Sequence, residues 1–305
     1  MADRFIAVDW SAANRPVSGA DSVWIAVDDG RPDVTLSNPP TRLEAMSIVR
    51  DAVRDAVDAG DRVIVGVDAG FGYPVGTAAA LGLAPPAWSA TWRLIGDLIE
   101  DDEANRSNRF AVAAELNRRL GSAPGPFWGG PAAATDSDLG AKRPPFPDAA
   151  RGGELVEYRL VEELLRGGGH RPQSVWKLYT TGSVGSQTLL AIAHLERLRS
   201  DAELADHVRI WPFETREADD LVGPVALVVE LWPNLAAAEL DPTMVKDAAQ
   251  VGAAAAWLRT LAETDQLESL LLLTDVDAER REIARAEEGW IFGAERAGAV
   301  SRNRR

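Results

Sequence analysis

The chain has 305 residues, of which 46% are hydrophobic and 26% charged, and this composition is typical of a globular protein with a substantial core. The formal net charge of -15 disfavours a broad electrostatic grip on nucleic acid, and the absence of cysteine excludes disulfides, cysteine-ligated zinc and a cysteine nucleophile. The sequence contains no apolar run of membrane-spanning length and no signal-peptide pattern, so we expect a cytoplasmic protein with no membrane partner.

The first 70 residues have the pattern of an opening α/β sheet. Short hydrophobic runs predict four strands, near residues 5–10, 22–28, 33–37 and 62–68. Asp29-Gly30 predicts a hairpin turn between the second and third strands. Thr41 begins a capping-box pattern that predicts a helix over 42–58. Three antiparallel strands, a helix and a further strand form the opening of a ribonuclease-H-like sheet.

Residues 75–207 interrupt this pattern and are predicted to form a large, mainly helical insertion. Apolar periodicity predicts four helices, near 89–100, 107–120, 154–166 and 187–199. The segment 175–179 is hydrophobic enough for a further strand. An insertion of this length inside a sheet is typical of a flap or a substrate wall.

The last third resumes the sheet. Hydrophobic segments at 208–213 and 225–231 precede predicted helices near 243–261 and 277–287. The whole pattern predicts one domain over 1–305, built on a mixed five-stranded α/β sheet with flanking helices. The 75–207 insertion is expected to form a flap beside the strand ends.

Three of the hydrophobic runs end on an acid, namely Asp9, Asp68 and Glu230. A buried carboxylate is costly unless it is paired or metal-bound, and ligands of open α/β sheets bind at the carboxyl ends of strands. One negatively charged site that holds a divalent cation therefore fits these acids. Oxygen ligands without histidine suit Mg²⁺ or Mn²⁺. Taken singly, each acid also fits a turn former or a helix cap.

Five short motifs resemble, in content and order, those of the DUF429 family of predicted ribonuclease-H-like nucleases: 8–12, 67–74, 229–233, 246–249 and 288–291. The resemblance implies that Asp9, Asp68, Glu230 and Asp247 converge as catalytic and metal-binding residues. Asp241 lies in the same region as Asp247 and is the alternative to it. The chain departs from the family pattern at Gly70, where a proline is usual, and in the length of the insertion.

The acids and the resemblance together predict a metal-dependent phosphodiesterase or nuclease that uses two divalent ions. The expected partner is nucleic acid, a small phosphodiester or a nucleotide. Four residues are candidates for substrate binding: Gly70, Gly72, Lys177 and Ser186. The two glycines permit close approach of the backbone, while Lys177 and Ser186 fit a phosphate. A lysine that extends to solvent and a helix-capping serine remain the structural interpretations.

Two other classes of function stay open. Asp9 with its polar successors, and the glycine-rich segment 68–72, loosely resemble the two phosphate loops of actin-like ATPases and sugar kinases. That fold usually needs a second copy of the core, and the sequence shows no second set of such elements. A non-catalytic binding protein on the same sheet is the third interpretation.

Overall fold

The computed structural model describes residues 3–31, 33–236 and 240–300, with the backbone alone for 298–300. The strands are β1 (Asp3–Asp9), β2 (Trp24–Asp28), β3 (Thr35–Ser37), β4 (Arg62–Asp68), β5 (Asp148–Ala150), β6 (Gly153–Leu155), β7 (Val208–Ile210) and β8 (Ala226–Glu230). The α-helices are α1 (Arg42–Asp58), α2 (Thr77–Ala80), α3 (Ala87–Leu98), α4 (Arg109–Leu120), α5 (Leu160–Gly167), α6 (Gly185–Arg199), α7 (Lys246–Glu263), α8 (Leu267–Leu271), α9 (Ala278–Ile283) and α10 (Ala294–Val300). Short 3-10 helices span Ala218–Leu221 and Pro233–Leu235, and a π-helical turn spans Ala284–Glu288.

Six of the strands form one mixed sheet in the order β3-β2-β1-β4-β8-β7. β1 and β3 are both antiparallel to β2, whereas β1, β4, β8 and β7 run parallel to one another. The α/β class and the early strands predicted from the sequence are confirmed. The predicted number of five strands is wrong by one, because both hydrophobic segments of the last third join the sheet.

Helices cover both faces of the sheet, which explains why its central strands are hydrophobic at nearly every position. In β4, Val63 and Val65 belong to a buried cluster that includes residues of α1 and α6. Ile64, between them, belongs to a second cluster on the opposite face. There the small residues Ala254 and Ala255 of α7 are fully buried, and α7 packs closely on β1 and β2.

The segment 75–207 contains α2 to α6 and the small β5–β6 hairpin. α6 is buried along most of its length and packs against α3 and β7. This segment therefore supplies one layer of the core, in addition to any role as a flap. Residues 175–179 do not form the expected strand; they lie in turns, and Lys177 makes a single β-bridge with Trp128.

Among the described helices, none combines the length and the apolar character needed to cross a membrane.

Candidate functional site at the carboxyl ends of the parallel strands

Asp9 and Asp68 are the last residues of two neighbouring parallel strands. They are Cα partners in the β1–β4 ladder, so their backbones lie one strand spacing apart, about 4.8 Å. Both residues are half-buried. The rigid central strands therefore hold two carboxylates side by side at one edge of the sheet.

Neither carboxylate has a neutralising partner among the described residues. Among the described residues, neither group accepts a hydrogen bond or forms an ion pair, although the charge of Lys246, the first residue of α7, lowers the pKa of Asp9 from a longer distance. Burial raises the pKa of Asp9 to about 7, with smaller upward contributions from Asp247 and Asp21. Burial also raises the pKa of Asp68, and the charges of Asp9 and Glu230 add to this effect. Perturbed acids without a structural partner are candidates for a functional site.

Asp247, in the first turn of α7, lies near this pair. Its Oδ2 accepts a hydrogen bond of 2.8 Å from the backbone N–H of Asp21, which fixes the carboxylate at the edge of the site. Asp241 is exposed, and its Oδ1 accepts hydrogen bonds from the backbone and hydroxyl of Thr243. The structure therefore brings Asp247 towards Asp9 and gives Asp241 a turn-forming role.

Glu230 ends β8 at the same edge, but its carboxylate is fully engaged. Its oxygens accept hydrogen bonds from Arg159 Nη1 at 2.8 Å, Arg159 Nη2 at 2.6 Å and the Phe71 backbone N–H at 2.9 Å. Arg159 also pairs with Glu162 at 2.9 Å, and all three charged side chains are buried. These contacts do not fit the predicted role of Glu230 as a metal ligand.

The predicted four-carboxylate centre for two ions does not fit this geometry. Within the described parts of the chain, no group of three or more acidic or histidine side chains is arranged to hold a metal ion. Asp9 and Asp68 together do fit one Mg²⁺ or Mn²⁺, because their oxygens are free and such ions often use one or two carboxylates with water and substrate oxygens as the remaining ligands.

A small cleft of about 50 Å³ opens beside Asp68, which is space for a few water molecules. Its polar wall consists of Asp68, Arg159, Glu162, Gln173 and Glu230, and its apolar wall includes Val175, Leu231, Trp232 and Ile291. The cleft therefore offers room for water or for one small polar group of a ligand next to Asp68.

The two candidate glycines have different surroundings. Gly70 lines the cleft, and a Cβ there would lie 2.9 Å from Thr188 Oγ1 and 3.0 Å from Val175 Cγ1. A Cβ at Gly72 would lie 2.5 Å from the backbone oxygens of Glu287 and Glu288. Gly72 therefore permits close packing within the protein, and the predicted approach to a ligand does not apply to it.

Lys177 and Ser186 lie away from this cleft. Lys177 Nζ donates a hydrogen bond of 2.9 Å to the carbonyl of Thr181, so it supports the loop before α6. Ser186 Oγ donates to the carbonyl of Leu178 at 2.7 Å and accepts from Nε of Arg109 at 3.2 Å. Neither residue therefore lines the cleft beside Asp68.

Sequence reasoning missed Arg159 and Arg109, the two buried arginines that organise these regions. A local signal existed for Arg159, because a glutamate stands three residues after it, and Oε2 of this Glu162 accepts a hydrogen bond of 2.8 Å from the Arg159 backbone N–H at the start of α5. The pairing of Arg159 with Glu230 spans 71 residues and has no local signature.

Comparisons with known proteins returned no relatives: no family model, curated protein or solved structure matches the chain. The resemblance to the DUF429 family therefore stays a prediction.

Proposed function

We propose that this protein is a phosphodiesterase that uses Mg²⁺ or Mn²⁺ held by Asp9 and Asp68. The observation that carries the proposal is the pair of adjacent, half-buried carboxylates that form no ion pair and accept no hydrogen bond in the described structure. The antiparallel β3-β2-β1 strands followed by parallel β4 support a ribonuclease-H-like fold for it. This strand arrangement supports the proposal independently of the sequence resemblance.

The bound cation would neutralise phosphate charge and make water more acidic. The chain itself supplies rigid placement, because Asp9 and Asp68 project from strands in the centre of the sheet. With a pKa of about 7, the Asp9 carboxyl exchanges its proton near neutral pH, so cation binding should release a proton. Asp247, anchored by the backbone of Asp21, keeps a further negative charge beside Asp9.

The surroundings of the site favour a small substrate. The adjoining cleft measures only about 50 Å³ and is walled by apolar side chains as well as polar ones, including Trp232. The net charge of -15 disfavours a long nucleic acid, whose phosphates need many cationic contacts. We therefore propose a dinucleotide, a cyclic nucleotide or another small phosphodiester as the substrate class, in preference to duplex nucleic acid.

A hydrolysis assay on bis(4-nitrophenyl) phosphate and on dinucleotides, with and without Mn²⁺, tests this function. Asp9→Asn and Asp68→Asn should each reduce cation-dependent hydrolysis to the background rate. Asp241→Asn is the matched control: it removes an exposed carboxylate of the same type and should leave the rate unchanged.

Binding of Mn²⁺, measured by electron paramagnetic resonance, separates the possible outcomes. Saturable Mn²⁺ binding that depends on Asp9, without hydrolysis of any phosphodiester, would support a non-catalytic binding protein and overturn the enzymatic proposal. Absence of saturable Mn²⁺ binding in the wild type would overturn the cation site itself.

A further inference from the structure

Arg109, the first residue of α4, is a buried cation without an acidic partner. Only 6% of its surface is exposed. Its Nε donates to Ser186 Oγ at 3.2 Å, and its Nη1 donates to Asn14 Oδ1 at 3.2 Å and to Ser107 Oγ at 2.7 Å. All of these acceptors are neutral. Nη2 has no acceptor among the described residues.

The other buried arginines of the described chain differ from Arg109 in this respect. Arg42 pairs with Asp101 at 2.6 Å, Arg159 pairs with two glutamates, and Arg285 has Glu282 at 3.8 Å. A buried charge is stable only when an opposite charge or strong hydrogen bonds compensate it. The chain has 47 acidic residues, yet none of those described lies within ion-pair distance of Arg109.

The acid that most influences Arg109 is already neutralised. Both oxygens of Asp101 accept hydrogen bonds from Arg42 at 2.6 Å, and His194 Nε2 lies 2.8 Å from one of them. The pKa of Arg109 is lowered to about 10, chiefly by burial and also by the charge of Arg42, and Asp101 opposes the change only in part. The region around Arg109 therefore keeps a net positive charge within an acidic protein.

Arg109 lines an open cavity of about 550 Å³ together with Ala12, residues 178–181, Ser183 and Ser186. The cavity lies at the N-terminus of the 15-residue helix α6. There the Gly185 N–H is bonded to the Lys177 carbonyl, whereas the N–H groups of the next two residues have no acceptor in the described structure. Free N–H groups at a helix N-terminus and an unpaired arginine both favour an anion.

We propose that this cavity binds the phosphate group of a small phosphate ester. Nη2 of Arg109 keeps two N–H donors that have no acceptor among the described residues and can bind phosphate oxygens, and the start of α6 supplies further N–H donors. The hydroxyls of Thr180, Thr181 and Ser183 border the same space. The volume exceeds that of one phosphate ion, which leaves room for the esterified part of the ligand.

The position of this phosphate site also bears on the substrate. Ala12, on the cavity wall, lies three residues after Asp9, so their Cα atoms are at most about 11 Å apart. A phosphorylated substrate held by Arg109 can therefore extend towards the Asp9–Asp68 pair. This second step rests on the proposed function, whereas phosphate binding at Arg109 does not.

Titration of the metal-free wild type with inorganic phosphate, followed by calorimetry, is the primary test. We expect saturable binding with a dissociation constant of about 1 mM or lower. Arg109→Met should weaken binding at least about tenfold. Arg106→Met is the matched control, because Arg106 is exposed and paired with Asp102; it should leave the affinity unchanged. Equal affinity in Arg109→Met, or no saturable binding in the wild type, would overturn the proposal.

A second variant keeps the test valid if Arg109→Met does not fold. Ser183→Asp leaves Arg109 in place and puts a carboxylate at a half-exposed position of the cavity wall, where it should compete with phosphate and weaken its binding. Unchanged phosphate affinity in Ser183→Asp would count against the site.

Two comparisons identify the source of the phosphate and separate the two proposals. Tighter binding of glycerol 3-phosphate than of inorganic phosphate would support an esterified ligand, and the reverse order would overturn the ester while supporting a site for the free ion. The titration is repeated in Asp9→Asn without divalent cation. Unchanged affinity supports a phosphate site independent of the carboxylates, whereas loss of binding would contradict the assignment to Arg109.

Discussion

Two groups of acids lie at the same edge of the sheet and differ in what neutralises them. Glu230 and Glu162 share Arg159 at 2.6 and 2.9 Å, whereas Asp9 and Asp68 have no cationic partner among the described residues. Glu162 and Glu230 are the more deeply buried, and Arg159 compensates their charges, whereas Asp9 and Asp68 are half-buried and lack such a partner. A buried acid indicates a functional site when no neutralising cation is paired with it, and burial of the acid by itself does not.

The paired group has an evident structural role. Arg159, just before α5, binds Glu230 at the end of β8 and donates a hydrogen bond of 2.9 Å to the carbonyl of Glu288 in the π-helical turn. Glu288 in turn accepts hydrogen bonds from the backbone N–H groups of Leu160 and Val75. This network joins distant parts of the chain and fixes one wall of the cleft beside the unpaired acids.

Loss of the shared cation should have the largest effect on stability. Arg159→Met leaves Glu162 and Glu230 buried without their partner and should lower the free energy of unfolding by about 3–5 kcal/mol, measured by urea denaturation. Arg106→Met, which removes an exposed arginine, should change it by less than about 0.5 kcal/mol. A loss of under about 1 kcal/mol for Arg159→Met would show that the network contributes little to folding.

The next largest effect on stability is expected at Gly72, where two segments of backbone pack closely together. Gly72→Ala places a Cβ 2.5 Å from two backbone oxygens, which cannot move aside as a flexible side chain would, so we expect a loss of about 1–3 kcal/mol. Gly167→Ala is the control, because no atom lies within 4 Å of the added Cβ. Unchanged urea stability of Gly72→Ala would contradict the close approach seen at this position.

The unpaired acids should make stability depend on pH in the opposite sense from a salt-bridged acid. The pKa of Asp9 is raised in the folded state, from 3.8 to about 7, so its stabilising proton is present at low pH and is lost as pH rises through 7. Asp9→Asn does not titrate. As the pH rises from about 4 to about 8, the free energy of unfolding of the variant should therefore increase relative to that of wild type, by on the order of 1–2 kcal/mol. This energy allows for solvent screening of a half-buried group.

Urea denaturation at both pH values measures this difference. Asp241→Asn should show no such gain, because Asp241 is exposed and its pKa is lowered by hydrogen bonds from Thr243. A variant Asp9→Asn that is less stable than wild type at the higher pH would identify Asp9 as a structural residue.

The sequence predicted the acids of the site better than their partners, and the reason is distance along the chain. Asp9 and Asp68 each close a hydrophobic run, and parallel strands bring such ends together, so local pattern was sufficient. The carboxylate of Glu230 is neutralised by Arg159, 71 residues earlier, and the atoms that pack against Gly72 come from a turn near residue 288. Such long-range pairings leave no periodicity or spacing in a single sequence.

The smallest expected effect is that of Asp247→Asn, which tests whether Asp247 interacts with the Asp9–Asp68 pair. Asp247→Asn removes one negative charge but keeps an amide oxygen that can accept the hydrogen bond from the Asp21 N–H, so the backbone should stay in place. Because the charge of Asp247 raises the pKa of Asp9, its removal should lower that pKa. Burial contributes more than Asp247 does, so the pKa of Asp9 should remain above its ordinary value of 3.8.

Carbon-13 NMR titration of the Asp9 carboxyl measures this change in pKa, and Asp241→Asn should leave the pKa of Asp9 unaltered. An Asp9 pKa that does not respond to Asp247→Asn would remove Asp247 from the candidate site and leave the carboxylate pair alone at the strand ends.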